Sequence, residues 1–216
     1  MNDVHMATEL FHSILYADDT SLSAPLCAFR VPISVVNLRN LSRTINLEMA
    51  KIHEWLCLNK LSLNISKTKY MIFHHRQRDV TDICLNLEID GIPLERVFEF
   101  EFLGLTVNEH LTWHSHINKI ANKISRSLGV MNKLKHFLSP DIMRTLYNSM
   151  ILPHLQYSVL CWGTLLTRIR VLQKKAIRII SLSKYNAHTE PIFKRLNLLK
   201  VDDIFTYFLL KFYFKF

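Results

Sequence analysis

The spacing of apolar residues changes character once along this chain, and that change limits what it can fold into. From Trp113 onward, Trp113, Ile117, Ile120, Ile124, Leu128, Met131, Leu134 and Leu138 recur at steps of three and four. That spacing lines up side chains on one face of an α-helix. Before Trp113 the apolar runs are short and are separated by turn-forming residues. One longer stripe stands among them: Leu38, Leu41, Ile45, Met49, Ile52 and Leu56. It predicts a helix over 35–58, with Ser34 as its cap and Asn59 at its end. A half rich in short strands followed by an all-helical half is an α+β pattern.

The charge changes sign at the same place. The 216 residues carry a net charge of +9. Residues 1–112 hold 10 Lys and Arg against 14 Asp and Glu, whereas residues 113–216 hold 17 against 4. Two parts are therefore expected, 1–110 and 111–216. The basic part calls for a polyanionic partner.

In the first part, strands are predicted over 11–16 and 20–26, flanking Ala17-Asp18-Asp19. Asp suits turn geometry, so this reads as a β-hairpin with two carboxylates exposed at its tip and Tyr16 packed beneath. Strands are also expected over 61–65 and 69–73, and a hairpin across Asp90-Gly91. One more strand, over 98–107, would be bulged at Gly104. In the second part Ser139-Pro140-Asp141 supplies a capping hydroxyl, a proline at the first helical position and an acid near the positive helix end. Further helices are predicted over about 168–180 and from about 201.

Several chemistries are disfavoured. The four glycines are far apart, so there is no Gly-rich phosphate loop. Cys27, Cys57, Cys84 and Cys161 lack metal-ligand spacing, and free thiols in a reducing intracellular compartment are expected, with no signal peptide visible. Residues 145–167 carry no formal charge, but Pro153 and their polar members favour a buried, broken helix over a membrane span. The aromatic tail 204–216 reads as a helix docked on the core. His110, His114 and His116 invite a metal reading, because His110 and His114 could share a helix face, although no carboxylate or cysteine partner is expected nearby.

Two constellations remain. Adjacent carboxylates at Asp18 and Asp19 are hard oxygen ligands of the kind Mg²⁺ takes, and two-metal phosphoryl transfer uses such pairs. The other constellation is basic. Lys119, Lys123, Arg126 and Lys133 lie opposite the apolar stripe, and Arg170, Lys174 and Arg178 form a second row. Such rows can follow a phosphate backbone without reading sequence, and acids are almost missing from the same faces.

The motifs around these residues resemble the reverse transcriptases of non-LTR (LINE-type) retrotransposons. Met1-Asn2-Asp3-Val4 is similar to the segment preceding the family's catalytic hairpin, and Leu15-Tyr16-Ala17-Asp18-Asp19-Thr20 to motif C of its palm. Leu61-Ser62-Leu63-Asn64 with Lys67-Thr68 is similar to motif D, and Phe102-Leu103-Gly104 to motif E, the primer grip. Leu111-Thr112-Trp113 with His116-Ile117, Leu155-Gln156-Tyr157, Cys161-Trp162-Gly163, the run 174–180 and Thr189-Glu190-Pro191 are similar to the thumb.

The resemblance implies a truncated palm over 1–110, made of a β-hairpin and a small antiparallel sheet with a packed helix, and an all-helical thumb over 111–216. It implies catalytic roles for Asp18, Asp19 and Lys67, with Mg²⁺ on Asp18 and Asp19. Lys67 would then be a general acid, against its plain reading as a solvated loop lysine. The partners implied are an RNA template with a DNA primer, and deoxynucleotides in a complete enzyme. Fingers, motif A and motif B are not matched, so this chain is expected to be a fragment that is inactive alone. The rival expectations are a non-catalytic nucleic-acid-binding remnant and a chain that fails to fold because its sheet edges are unpaired.

Overall fold

A computed structural model describes residues 7–8, 10–16, 19–24, 35–77 and 85–215, with the side chains of 35–37 left aside. The chain forms two compact units, Met1–Phe98 and Glu99–Phe216. The division precedes the change of periodicity, and so brings Glu99, Glu101 and Glu109 into the basic unit.

In the first unit, β1 (His12–Tyr16) and β2 (Asp19–Ser23) pair antiparallel, with Tyr16 opposite Asp19. Helix α1 (Val35–Leu58) has the predicted bounds, while Ser34 lies outside the described residues. Its apolar stripe buries Ile45 and Met49 against Ile72, Leu85, Leu87 and Ile89. Asn46 fixes the approach: its amide donates to the Asn86 carbonyl at 3.0 Å and its Oδ1 accepts from the Glu88 amide at 3.2 Å. The strand expected over 61–65 does not form among the described residues. Instead Asn64 caps a 3₁₀ turn, Ile65–Lys67, by accepting from the Lys67 amide, the local bonding that Asn offers in place of a ladder. The strand expected over 69–73 shrinks to β3 (Lys69–Tyr70), parallel to β6 (Glu95–Arg96). Strands β4 (Glu88–Ile89) and β5 (Ile92–Pro93) meet across Asp90-Gly91 as predicted. Both turn residues have positive φ, as this tight hairpin turn requires. The described strands form two-stranded pairs, not one small antiparallel sheet.

The second unit opens with β7 (Glu99–Phe102) and β8 (Leu105–Asn108), an antiparallel hairpin where a single bulged strand is expected. Leu103 and Gly104, at φ +46° and +77°, make its turn. The helices are α2 (His114–Leu134), α3 (Pro140–Met150), α4 (Leu152–Gln156), α5 (Val159–Trp162), α6 (Thr167–Ile180), α7 (Glu190–Leu196) and α8 (Val201–Tyr213). Ser139 caps α3 as its sequence predicts. The uncharged stretch 145–167 is broken, with Pro153 in the first turn of α4. Ile151, Leu155, Val159 and Trp162 still reach one core at steps of four, four and three, each at most 1 % exposed. No helix among the described residues is long and apolar enough to cross a membrane.

Two close contacts bind these helices. Gln173 is buried on α6. Its amide donates to the Tyr147 hydroxyl and to the Leu199 carbonyl, both at 2.9 Å, and its Oε1 accepts from the Val201 amide at 2.8 Å. Burial pushes the Tyr147 hydroxyl up to about 12. At Gly163 a Cβ would lie 2.3 Å from Cδ2 of Phe205 and 2.5 Å from the Val159 carbonyl, so a side chain there would force α5 and α8 apart. The tail departs from expectation. Val201 and Ile204 are buried, and Phe205 and Phe208 lean on the core, but Tyr207, Leu210, Phe212, Tyr213 and Phe214 are exposed. The core takes one face of α8, and the remaining aromatics point elsewhere.

Gln173→Leu strands three polar groups at nearly constant volume. Two of them, the Tyr147 hydroxyl and the Val201 amide, lie in buried bonds, and each buried group left unpaired costs about 1–3 kcal/mol, so urea unfolding followed by helical circular dichroism should show a loss of at least about 2 kcal/mol. A loss under about 1 kcal/mol would mean that the network is not what fixes these helices.

Candidate nucleic-acid interface

The basic face of α2 is organised by what its apolar face and first turn bind. His116 is buried between the rings of Trp113 and Trp162, with centroids 6.3 and 6.2 Å away. Its Nδ1 accepts a hydrogen bond from the Thr106 amide on β8 at 3.2 Å. Thr106 pairs across the hairpin with Glu101. Lys119 stands three residues beyond His116, on the same side of the helix, and there its ammonium binds the Glu101 carboxylate. That bond holds the Glu101 carboxyl below the usual carboxylate range, with Lys123 adding to the effect from nearby.

The other end of the hairpin is held as well. The Tyr157 hydroxyl, just past α4, donates to the Leu103 carbonyl, and the Tyr157 carbonyl accepts from the Trp162 indole at 3.0 Å. The turn Leu103-Gly104 is thereby tied to a fully buried core residue. This bond offsets the cost of placing a leucine in the left-handed region. Phe102 is half-buried beside it.

The seven cations singled out in the sequence are not equivalent. Lys123, Arg126 and Lys133 are exposed along α2, as is Lys174 on α6. Lys119 is paired as described. Arg170 makes a bidentate pair with Asp202, at 3.0 and 2.7 Å, joining α6 to α8. Arg178 donates from Nε to the Ala187 carbonyl at 3.0 Å. The expectation that acids are almost missing from these faces is therefore corrected, because Glu101 and Asp202 reach them from a neighbouring hairpin and helix. The outward face retains three cations on one helix, spanning about 15 Å from Lys123 to Lys133 at a rise of 1.5 Å per residue.

In the first unit, Asp19 is exposed at the start of β2, while Asp18 lies outside the described residues. Tyr16 is 64 % exposed, not packed beneath the carboxylates. Lys67 is exposed at the end of its 3₁₀ turn. The three histidines near the helix start serve different ends: His116 is turned inward, His114 is exposed, and His110 lies 3.7 Å from Glu109, which corrects the expectation that no carboxylate is near them.

Comparison with known proteins finds relatives along much of the chain. It is 29% identical over 157 residues to an RNA-directed DNA polymerase from mobile element jockey of Drosophila funebris, a match covering 69% of this chain and 17% of that protein. The Drosophila melanogaster protein of the same description is 26% identical over the same shares. A probable RNA-directed DNA polymerase from transposon BS of Drosophila melanogaster is 23% identical over 58% of this chain and 15% of its own length. The chain thus spans about a sixth of the relatives it matches. No family model and no solved structure matches it. The resemblance to the reverse transcriptases of LINE-type elements is borne out by these relatives.

The seat of the hairpin on α2 depends on a neutral His116. Burial pushes this imidazole below its ordinary value, and Lys119 and Lys123 push it further. An unfolded imidazole takes its proton near pH 6.5, and the folded one only at lower pH. The stabilisation is therefore complete above about pH 6.5 and is lost as pH falls through the folded value. His154, lowered by burial and then by Lys123, adds to the same limb. Melting temperature should fall below about pH 6.5, and less steeply in His116→Asn, whose Oδ1 replaces Nδ1 as acceptor. An unchanged acid limb in that variant would place the proton elsewhere.

Proposed function

We propose that this chain is the primer-proximal part of a retrotransposon RNA-directed DNA polymerase, and that its second unit clamps a template–primer duplex. The supporting observation is the outward row of Lys123, Arg126 and Lys133 on α2, beside a hairpin turn tied to the helical core. In this reading Glu99–Phe216 is the thumb together with its primer-grip hairpin, Phe102, Leu103 and Gly104. Met1–Phe98 is the motif C and motif D portion of a palm. Rigid cations at helical spacing contact successive phosphates and fix the register of a duplex without reading its sequence. The partners are an RNA template and a DNA primer, with deoxynucleotides bound by the longer polymerase.

Asp18 and Asp19 form an all-oxygen donor set of the chemistry that suits Mg²⁺, and Asp19 is open to solvent. They are the residues that would hold the ion, and when bound it supplies charge stabilisation for phosphoryl transfer. Lys67, on an exposed turn, would serve as a proton donor only in the longer polymerase. Since the chain spans about a sixth of its polymerase relatives, the 216-residue protein is expected to incorporate no nucleotide on a primed template. Template-dependent extension that is lost in Asp18→Asn would contradict this.

Binding to a mixed-sequence RNA–DNA hybrid should weaken with salt at a slope of about −0.9 per phosphate contact in log K against log salt. Replacing Lys123, Arg126 and Lys133 together by Gln should reduce the slope by about 2.7, with little change in melting, because exposed helix cations contribute little to stability. Equal slopes in two folded proteins would remove the clamp.

A further inference from the structure

The head of the α2 row already has an anion on it. Glu101 and Lys119 are joined, yet both remain open to solvent, with 56 % and 38 % of their side chains exposed. The pair is no accident of two mobile side chains. Glu101 sits opposite Thr106 in the hairpin register, Thr106 is bonded to His116, and His116 lies one helical turn before Lys119. The backbone therefore delivers the carboxylate to the ammonium. Lys123, the next cation of the row, also feels the Glu101 charge.

The Arg170–Asp202 pair differs in kind. It joins α6 to the start of α8, where Gln173 already holds the Val201 amide, so it belongs to the packing of the unit. The Glu101–Lys119 pair is a single contact at the head of the row that carries the exposed Lys123, Arg126 and Lys133, whereas Arg170–Asp202 is bidentate.

We propose that Glu101 is a built-in competitor for the duplex, a carboxylate that occupies Lys119 in the free protein and must be displaced by a backbone phosphate when the duplex seats. This rests on the clamp reading above and adds to it a regulatory contact. Exposed ion pairs are weak, so displacement is feasible. It nevertheless costs one ion pair, and it leaves a negative charge facing the incoming polyanion. The contact lowers affinity for the duplex and makes seating of the hairpin end depend on a phosphate that reaches Lys119.

The test is a mutant cycle on the full chain, using a short fluorescent RNA–DNA hybrid titrated at several salt concentrations. Glu101→Gln should bind about 5- to 10-fold tighter at 0.1 M salt with the slope little changed, because Lys119 meets a phosphate in both proteins and only the cost of displacing the carboxylate is removed. Lys119→Gln alone should lose about 0.9 of the slope, the phosphate contact made once the carboxylate is displaced, with only a small loss of affinity because no ion pair then has to be broken. In the Lys119→Gln background, Glu101→Gln should gain little, because the freed cation is gone. Circular dichroism melting of each variant confirms folding. Salt-dependent wild-type binding with no gain in Glu101→Gln overturns the competitor and leaves the clamp standing. A gain of equal size without Lys119 also overturns it, reducing Glu101 to general repulsion. Wild-type binding that is absent or insensitive to salt removes the clamp itself, and the competitor with it.

Discussion

The helical unit depends on one buried amide. Gln173 sits on α6 with its side chain away from water, and each end of that amide has a partner. Without the Tyr147 hydroxyl, the Leu199 carbonyl and the Val201 amide, it would carry an unmet polar cost into the core. With them, it fixes α3 and the start of α8 against α6 in one arrangement, because hydrogen bonds are directional where apolar packing is not. The core of Ile151, Leu155, Ile169 and Ile177 supplies the driving force, and Gln173 selects the register in which it acts.

That rigid unit decides what a surface row can do. Cations recognise a phosphate backbone only if their spacing is held. Lys123, Arg126 and Lys133 are held because Ile120, Ile124, Leu128 and Met131 bury the opposite face of the same helix. The hairpin is held at two points, by Thr106 on His116 and by Leu103 on Tyr157. Both anchors are near the Trp162 indole, so the hairpin and the cationic row share one foundation.

Much of this was legible in the sequence, and the exceptions have physical reasons. The limits of α1, the stripe of α2, the Ser139 cap and the Asp90-Gly91 turn are local, and local rules predict them. The Leu103-Gly104 turn was hidden because leucine is no turn former; its left-handed conformation is supported by a hydroxyl 54 residues away. The strand over 61–65 failed because Asn64 offers the backbone a competing cap. The candidate interface was half legible. Helical spacing gave the cations, but it cannot report acids that arrive from other elements, so the engagement of Lys119, Arg170 and Arg178 became visible only in the fold. The likeness to LINE-type polymerases was legible from short motifs that follow one another in order along the chain.

The central claim is that the outward face of α2 meets a phosphate backbone. Lysine acetylation footprinting with and without a saturating RNA–DNA hybrid tests it most directly, because it reads each ammonium separately. The account predicts strong protection of Lys123 and Lys133 by the duplex, and none at Lys211 and Lys215 on the far aromatic tail. Uniform partial protection over all exposed lysines, or protection confined to residues outside α2, would contradict it.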